Sequence, residues 1–479
     1  MLPAATDYYR LLPEILAAVF GTIVMLLEPF LRREHKAALS WLGMLGAAAA
    51  LGAAVLVRSD AGPAFFHLIQ ADPFTFFLRL LIYATALLVM LAARAYLDRE
   101  NLPHGEFYAL VLLGSVGMGV MAAAAELVTV FIGLEISSLS TYILASYRRE
   151  ALRANESALK YFLLGSFATA FFLFGVALVY GATGTARLEQ VAEGVASVLL
   201  LKLGLALVFI GLAFKVASAP FHVWTPDVYE GAPAPVTALL STAPKAAAFA
   251  VLLRIAGTVL PATLLWFWVL WGSAALTMFV GNLAALVQSN VKRMLAYSSI
   301  AHAGYILVAL AAGTEAAYAA ALYYLAAYAL MKLGAFTLVA HLAGRGERRL
   351  TLEDYAGLAR REPVVAATLS LYLLSLLGLP LTAGFLGKFY VFVAGLRAEL
   401  LGLVVLAAVN TLLGAYYYLR VILYMYFREP DPTYEHAARE PVPAGTGLVL
   451  AATAAGTLLL GIFPGHLMRI AELAAASFR

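Results

Sequence analysis

Glu135, Lys215, Lys245 and Lys388 each stand inside a long apolar segment of the chain. A charge at the centre of a bilayer costs roughly 2.5–3.5 kcal/mol on the mildest scale, so such residues are rare there and tend to be functional. Amines and carboxylic acids exchange protons, and burial moves both toward neutral pH, where gaining or losing a proton costs little. Three amines and one acid on four segments therefore point to a proton or ion path, a water-linked relay driven from one end. Glu135 lies nine residues after Glu126, or roughly 14 Å along a helix rising about 1.5 Å per residue. That depth is close to the middle of a hydrocarbon core about 30 Å thick. Lys215 stands thirteen residues after Lys202 and twelve before Asp227, and Lys245 ten after Pro235 and nine before Arg254.

Each residue has a plainer alternative. Glu135 as a neutral acid bonds to Ser137 or a neighbouring helix. Lys215 snorkels, Lys245 enters a structural ion pair, and Lys388 reaches toward the Arg397 end. Lys332, in YALMKLGAF, either extends the relay or is structural. His222 and His302 are expected near span ends, where they connect the relay to a surface or merely pack. Arg79 snorkels or partners Asp72, and Tyr323, Tyr324 and Tyr328 are read as packing. No dinucleotide fingerprint, phosphate loop, metal-ligand cluster or nucleophile triad is present, so neither a cofactor nor a metal site is expected.

The elements that must position these groups follow from composition. Of 479 residues 63% are hydrophobic and only 13% charged, with a mean hydropathy of +0.88. Soluble domains carry about 25% charged residues. The chain is expected to be an all-α polytopic membrane protein, a single transmembrane domain over 1–479. Continuous rather than alternating apolar runs exclude a barrel. With no cysteine, disulfides, thiolate catalysis and cysteine-ligated iron–sulfur clusters are excluded here. The net charge of +4 reports loop placement and does not suggest nucleic acid. Met1 to Arg10 holds no cleavable signal pattern, so the first apolar run is expected to open the bundle.

About 20 apolar residues cross a membrane, which predicts fourteen spans: 11–31, 38–57, 74–96, 106–123, 126–146, 157–180, 199–226, 235–257, 263–288, 295–312, 316–342, 363–397, 401–427 and 443–466. Basic residues gather in alternate loops: Arg32, Arg33 and Lys36; Arg148, Arg149 and Arg153; Lys292 and Arg293; and Arg345, Arg348, Arg349, Arg360 and Arg361. This face is expected to be cytoplasmic, with both termini outside. Spans 7 and 12 are expected to be discontinuous, because Pro220 and Pro226 interrupt one and Gly378, Pro380, Gly384 and Gly387 the other. Such backbone is tolerated at membrane depth where it is buried or lines a polar cavity. The broken spans stand five apart. Three N-terminal helices (1–100) would then precede two inverted five-helix repeats, spans 4–8 (106–257) and 9–13 (263–427), with a last helix at 443–466.

The stretch GLAFKVASAPFHVWTPDVYEGAPAPVTALLSTAPKAAAF, residues 211–249, resembles the signature of the antiporter-like subunits of respiratory complex I. NVKRMLAYSSIAHAGY (290–305) and LPLTAGFLGKF (379–389) are similar to the same family. TPDVYEGAPAPV and a lysine, Lys388, in span 12 resemble the NuoN-type branch; the NuoM type carries a glutamate there. The NuoL type has a long lateral helix, for which no room is expected before Arg479. The resemblance matches Glu135 to the family's fifth-span glutamate, Lys215 and Lys245 to its seventh- and eighth-span lysines, and Lys388 to the twelfth-span residue. It implies proton translocation in a bacterial inner-membrane NADH:quinone oxidoreductase. FMN and iron–sulfur clusters would then sit in partner subunits, NADH and quinone would bind elsewhere, and NuoM-type and NuoK-type chains would be neighbours. Glu135 would pair with Lys215, Lys245 would pass protons inward, and Lys388 would exchange with the outer side. A Mrp-type cation/proton antiporter subunit, a membrane-bound hydrogenase subunit and a purely structural scaffold are the alternatives. Pro244 and Lys332 depart from the family pattern, and the local helix geometry at Lys245 stays open.

Overall fold

The structure, a computed structural model, describes residues 3–32, 36–191, 197–259, 264–429 and 441–477. Arg33 lies outside them. Among the described residues, twelve helices are long and apolar enough to cross a membrane, and Leu12–Leu27 and Pro363–Leu377 are shorter apolar helices. They fall where the fourteen spans are expected. Spans 1–3 are Leu12–Leu27, Ala37–Val57 and Pro73–Glu100. Spans 4–6 are Gly105–Ala123, Leu127–Ala145 and Leu152–Thr183, and span 7 is Val198–Val216 followed by Trp224–Gly231. Span 8 divides into Ala234–Ser241 and Ala243–Thr258, and span 12 into Pro363–Leu377 and Ala383–Arg397. Spans 9, 10 and 11 are Leu264–Leu286, Val291–Ala312 and Glu315–Leu342; Leu401–Phe427 and Ala444–Ile462 complete the set. A two-stranded hairpin, Gly62–Ala64 with Ile69–Ala71, closes one loop.

The up-and-down alternation of fourteen spans brings the basic loops to one face. Arg148 approaches Glu100 at 3.9 Å, Glu100 accepts from the Gly346 amide at 2.9 Å, and Lys36 pairs with Glu28 at 2.8 Å. The described ends meet the other face, where Arg10 pairs with Asp60 at 2.9 Å and the Phe74 amide donates to Ser477 at 3.2 Å. The chain continues past span 14 as an amphipathic helix, Gly465–Ala476, which buries Ala471, Ala474 and Ala475. The apolar-run rule passed over this helix because its polar face lowers its hydropathy.

Both expected breaks are present. Ala217 turns left-handed at φ 61° and ends the first half of span 7. Gly378, at φ 100°, ends the first half of span 12, and Pro380 follows it. A side chain at Gly384 would run into the Ser375 carbonyl, so only glycine lets the second half start so close to the first. Span 8 adds a break the apolar pattern did not call for. Thr242 leaves the helix at φ −121°, ψ −86°, and Pro244 opens the next segment without an N–H to donate.

Where lipid is as apolar as leucine, helices associate by close packing of small residues. A Cβ on Gly117 of span 4 would stand 2.5 Å from the Gly133 carbonyl oxygen of span 5. One on Gly281 of span 9 would stand 2.5 Å from the Ala301 amide nitrogen of span 10. Buried ion pairs add register between elements. Arg79 of span 3 binds both carboxylate oxygens of Glu14 at 2.8 Å. Asp72 takes Arg254 of span 8 at 2.9 Å. Arg79 is thus neither a snorkelling residue nor the partner of Asp72: Arg254 reaches that carboxylate from the facing helix end.

Candidate buried relay

Lys215, Lys245, Lys332 and Lys388 are all buried, none more than 8% exposed. Span 10 is the element that organises three of them, because Ser298, Ser299, His302 and Tyr305 recur along it at helical spacing. Lys245, three residues past the Thr242 break, donates to the Ser299 hydroxyl at 2.6 Å and to its carbonyl at 3.1 Å. That hydroxyl also meets Tyr328 of span 11 at 2.6 Å. One residue earlier, Ser298 receives Lys332 at 2.8 Å, and Lys332 also donates to the Leu295 carbonyl at 2.7 Å. Ser298 shares a short hydrogen bond with Tyr418 of span 13. Tyr418 meets His302 Nε2 at 3.2 Å, and His302 Nδ1 meets Tyr324 at 2.6 Å. Lys245, Lys332 and Lys388 all lie close enough to act on the charge of His302.

The break in span 12 supplies the setting of Lys388. Helix termini leave carbonyls without intrahelical partners, and Lys388 donates to two of them, Leu376 at 3.1 Å and Leu377 at 2.9 Å. Its ammonium also stands 4.6 Å from the centre of the Tyr305 ring. It therefore turns inward, not toward Arg397. Tyr305 leads on to Asn282, which bonds Asn410 at 3.1 Å and accepts from Tyr417 at 3.0 Å.

Lys215 is held differently. It sits in the last turn of the first half of span 7, where the negative end of the helix dipole favours a cation. Its ammonium lies over two rings, Tyr142 at 5.2 Å and Tyr161 at 5.4 Å. Among the described residues it makes no hydrogen bond or ion pair. Glu135 is half-buried and likewise forms no ion pair among them, yet it lies near enough for its charge to act on Lys215. The two do not meet as a direct salt bridge. Between Lys215 and Lys245 runs an aromatic series: Tyr161 stacks on Trp224 at 4.5 Å, and Trp224 meets Tyr229 edge-on at 6.0 Å. Tyr229 donates to the Leu240 carbonyl of span 8 at 3.1 Å.

The weaker candidates divide. Lys332 joins the bonded line. His302 joins it too, but from the middle of span 10 and almost fully buried, not near a span end. His222 lies half-buried in the span 7 break, bonded to none of the lysines, and its Nδ1 has no partner among the described residues. Tyr324 and Tyr328, read as packing, carry hydrogen bonds in the line, whereas Tyr323 only donates to the Leu460 carbonyl at 2.7 Å. Ser298, Ser299 and Tyr418 were not anticipated. Their signal was the spacing of YSSIAH one turn from the level of Lys245, which only the packing of span 10 reveals. Hydroxyls both donate and accept, so a line of them between amines can hand a proton along. Among the described residues no group of three or more His, Asp or Glu side chains could hold a metal ion.

Comparison with known proteins adds identity to the geometry. Residues 124–414 match the family described as NADH:quinone oxidoreductase/Mrp antiporter, TM. NADH-quinone oxidoreductase subunit N 1 of Solibacter usitatus is 47% identical over 479 residues, covering 99% of this chain and 98% of the relative. A chain of respiratory complex I from Thermus thermophilus, solved with bound aureothin, superposes with a TM-score of 0.83 at 38% identity, covering 95% of this chain and 98% of that one. A chain of the Mrp complex from Dietzia sp. reaches a TM-score of 0.86, covering 98% and 97%, but at 22% identity that likeness is one of fold alone.

Proposed function

We infer the function from this premise: the chain belongs to the NADH:quinone oxidoreductase/Mrp antiporter transmembrane family, in its subunit N branch. It is a proton-translocating membrane subunit of the respiratory NADH:quinone oxidoreductase. It sits in the bacterial inner membrane with its basic loops on the cytoplasmic side and both ends outside. Flavin, iron–sulfur clusters, NADH and quinone belong to partner subunits, and NuoM-type and NuoK-type chains flank it. Spans 4–8 and 9–13 act as two inverted units. Full-length similarity to subunit N favours this over a Mrp-type antiporter.

The observation that carries the residue-level reading is a pair of buried hydrogen-bonded lines on adjacent residues of span 10: Lys245–Ser299–Tyr328, from span 8 to span 11, and Lys332–Ser298–Tyr418–His302–Tyr324, among spans 10, 11 and 13. Glu135 biases Lys215 through its charge. The proton passes through the Tyr161, Trp224 and Tyr229 region to Lys245 and on toward Lys388, which exchanges with the outer side. Tyr142 Oη, Thr225 Oγ1 and His222 Nδ1 are buried without hydrogen-bond partners among the described residues. Groups of this kind take ordered water, which supports a hydrated route around the span 7 break. Lys215→Met removes the first amine and leaves both aromatic faces in place. In the assembled complex it is expected to abolish NADH-driven proton pumping while assembly persists. Full pumping in that variant would reject the assignment.

A further inference from the structure

Glu347 lies on the basic face, in the loop that follows span 11, away from the relay. Its carboxylate gathers three donors from three other elements. Lys292 of span 10 donates at 2.7 Å, Tyr96 of span 3 at 2.7 Å, and the backbone N–H of Ala234, first residue of span 8, at 2.7 Å. Lys292 also donates to the Ala232 carbonyl at 2.6 Å. The pair is withdrawn from solvent, with the side chains 0% and 4% exposed. The loop is shaped to deliver it: Gly344, Gly346 and Glu347 all take left-handed backbone, at φ 64°, 77° and 52°. Only glycine adopts that region freely, so a glutamate there needs its bonds to hold it.

Two of the three spans tied at this point, 8 and 10, carry Lys245 and Ser299. Span 8 is interrupted at Thr242, but the Thr242 N–H donates to the Leu239 carbonyl at 3.0 Å and the Ala246 N–H to the Thr242 carbonyl at 2.9 Å, so the position of the first half is passed through Thr242 to Lys245. We propose that Glu347 is a positioning residue for proton transfer: by clamping the basic-face ends of spans 8 and 10 it sets the register that keeps Lys245 on Ser299. The Lys245 contacts span only 2.6–3.1 Å, and a slide of about 1 Å would carry them beyond hydrogen-bond range. The proposal rests on the relay reading of Lys245.

The test measures NADH-driven pumping by the intact complex in inverted membrane vesicles, normalised to NADH oxidation, with the amount of assembled complex checked in parallel. Glu347→Gln is expected to lower pumping about fivefold, and Ser299→Ala about threefold, in line with lost buried hydrogen bonds. Because both act on one contact, the double variant should pump no worse than the poorer single variant; independent effects multiply. Tyr96→Phe removes a single donor and should cost about twofold, an effect that vanishes beside Ser299→Ala. It serves equally if Glu347→Gln does not assemble. Multiplicative losses, or unchanged pumping in the assembled Glu347 and Tyr96 variants, overturn the proposal. Lys245→Met separates the two levels: normal pumping there means that the relay reading has failed, whereas lost pumping there with additive Glu347 effects means that only the clamp has.

Discussion

Lys215 of span 7 and Lys388 of span 12, the amines beside the breaks of those spans, are held in different ways, while Lys245 of span 8 is bonded to two oxygens as Lys388 is. In spans 4–8 Lys215 rests on two aromatic faces without a hydrogen bond among the described residues, and the nearby carboxylate, Glu135, does not touch it. In spans 9–13 Lys332 and Lys388 are each tied to two oxygens, and the only acidic residue of those spans is Glu315 at the edge of span 11. An amine on ring faces is held by electrostatics that depend on its charge. An amine on carbonyls is held by directional bonds. The first arrangement suits a group whose protonation is to be switched from nearby, and the second suits a group that must stay in line.

The contrast breaks most sharply at Lys215. A guanidinium sits over aromatic rings as well as an ammonium does, yet it does not release its proton in a protein. Lys215→Arg should therefore assemble, keep the positive charge near Glu135, and still lose NADH-driven pumping more than about tenfold, a barrier increase near 1.4 kcal/mol. Pumping close to normal would make Lys215 a fixed charge and not a carrier.

Two tyrosines sharpen the comparison with a smaller expected effect. Tyr418 joins Ser298 to His302, while Tyr142 Oη has no hydrogen-bond partner among the described residues. Phenylalanine keeps the ring in both cases. Tyr418→Phe removes two hydrogen bonds in the line and should slow pumping about fivefold, from the roughly 0.5–1.5 kcal/mol that each such bond contributes. Tyr142→Phe keeps the cation–π face under Lys215 and should change pumping by less than about twofold. Equal losses from the two variants would erase the distinction between the setting of Lys215 and the bonded line around span 10.

How much of this was legible in the chain depends on the cost of burying each group. Lys215, Lys245, Lys332 and Lys388 announced themselves because an amine in an apolar run is expensive. The breaks in spans 7 and 12 were legible from clustered proline and glycine, whose backbone constraints act locally. Ser298, Ser299, Tyr324, Tyr328 and Tyr418 were not, because serine and tyrosine bury readily and look like packing until a neighbouring helix supplies the amine. Pro244 hinted at the Thr242 break, but a proline in a first turn is ordinary. The Arg79–Glu14 and Arg254–Asp72 pairs join residues 65 and 182 positions apart, a choice of partner that local sequence does not encode. The proposed relay would depend on such long-range register, most of all where Glu347 ties spans 3, 8 and 10.

Glu347 gives the most specific effect, one on stability as well as on pumping. Burial pushes its carboxyl up, but the Lys292 ammonium, the hydrogen bonds from Lys292 and Tyr96, and the Ala234 amide together outweigh burial and hold it below its ordinary value. A carboxyl held low in the folded state contributes stability that is fully present above its unfolded value and is lost as pH falls through the folded one. The clamp is therefore intact around neutral pH and loosens only as pH falls through the lowered range of this carboxyl. In the purified complex, the thermal midpoint of Glu347→Gln should lie on the order of 2–4 °C below the unaltered protein across pH 5–8, since a loss near 1 kcal/mol shifts a large domain by about that much. As pH falls through that lowered range the gap should close, because protonation removes from the unaltered protein the charge that the substitution has already removed. A gap that closes instead between pH 7 and 5 would mean that Glu347 titrates near neutrality and that Lys292 does not hold it.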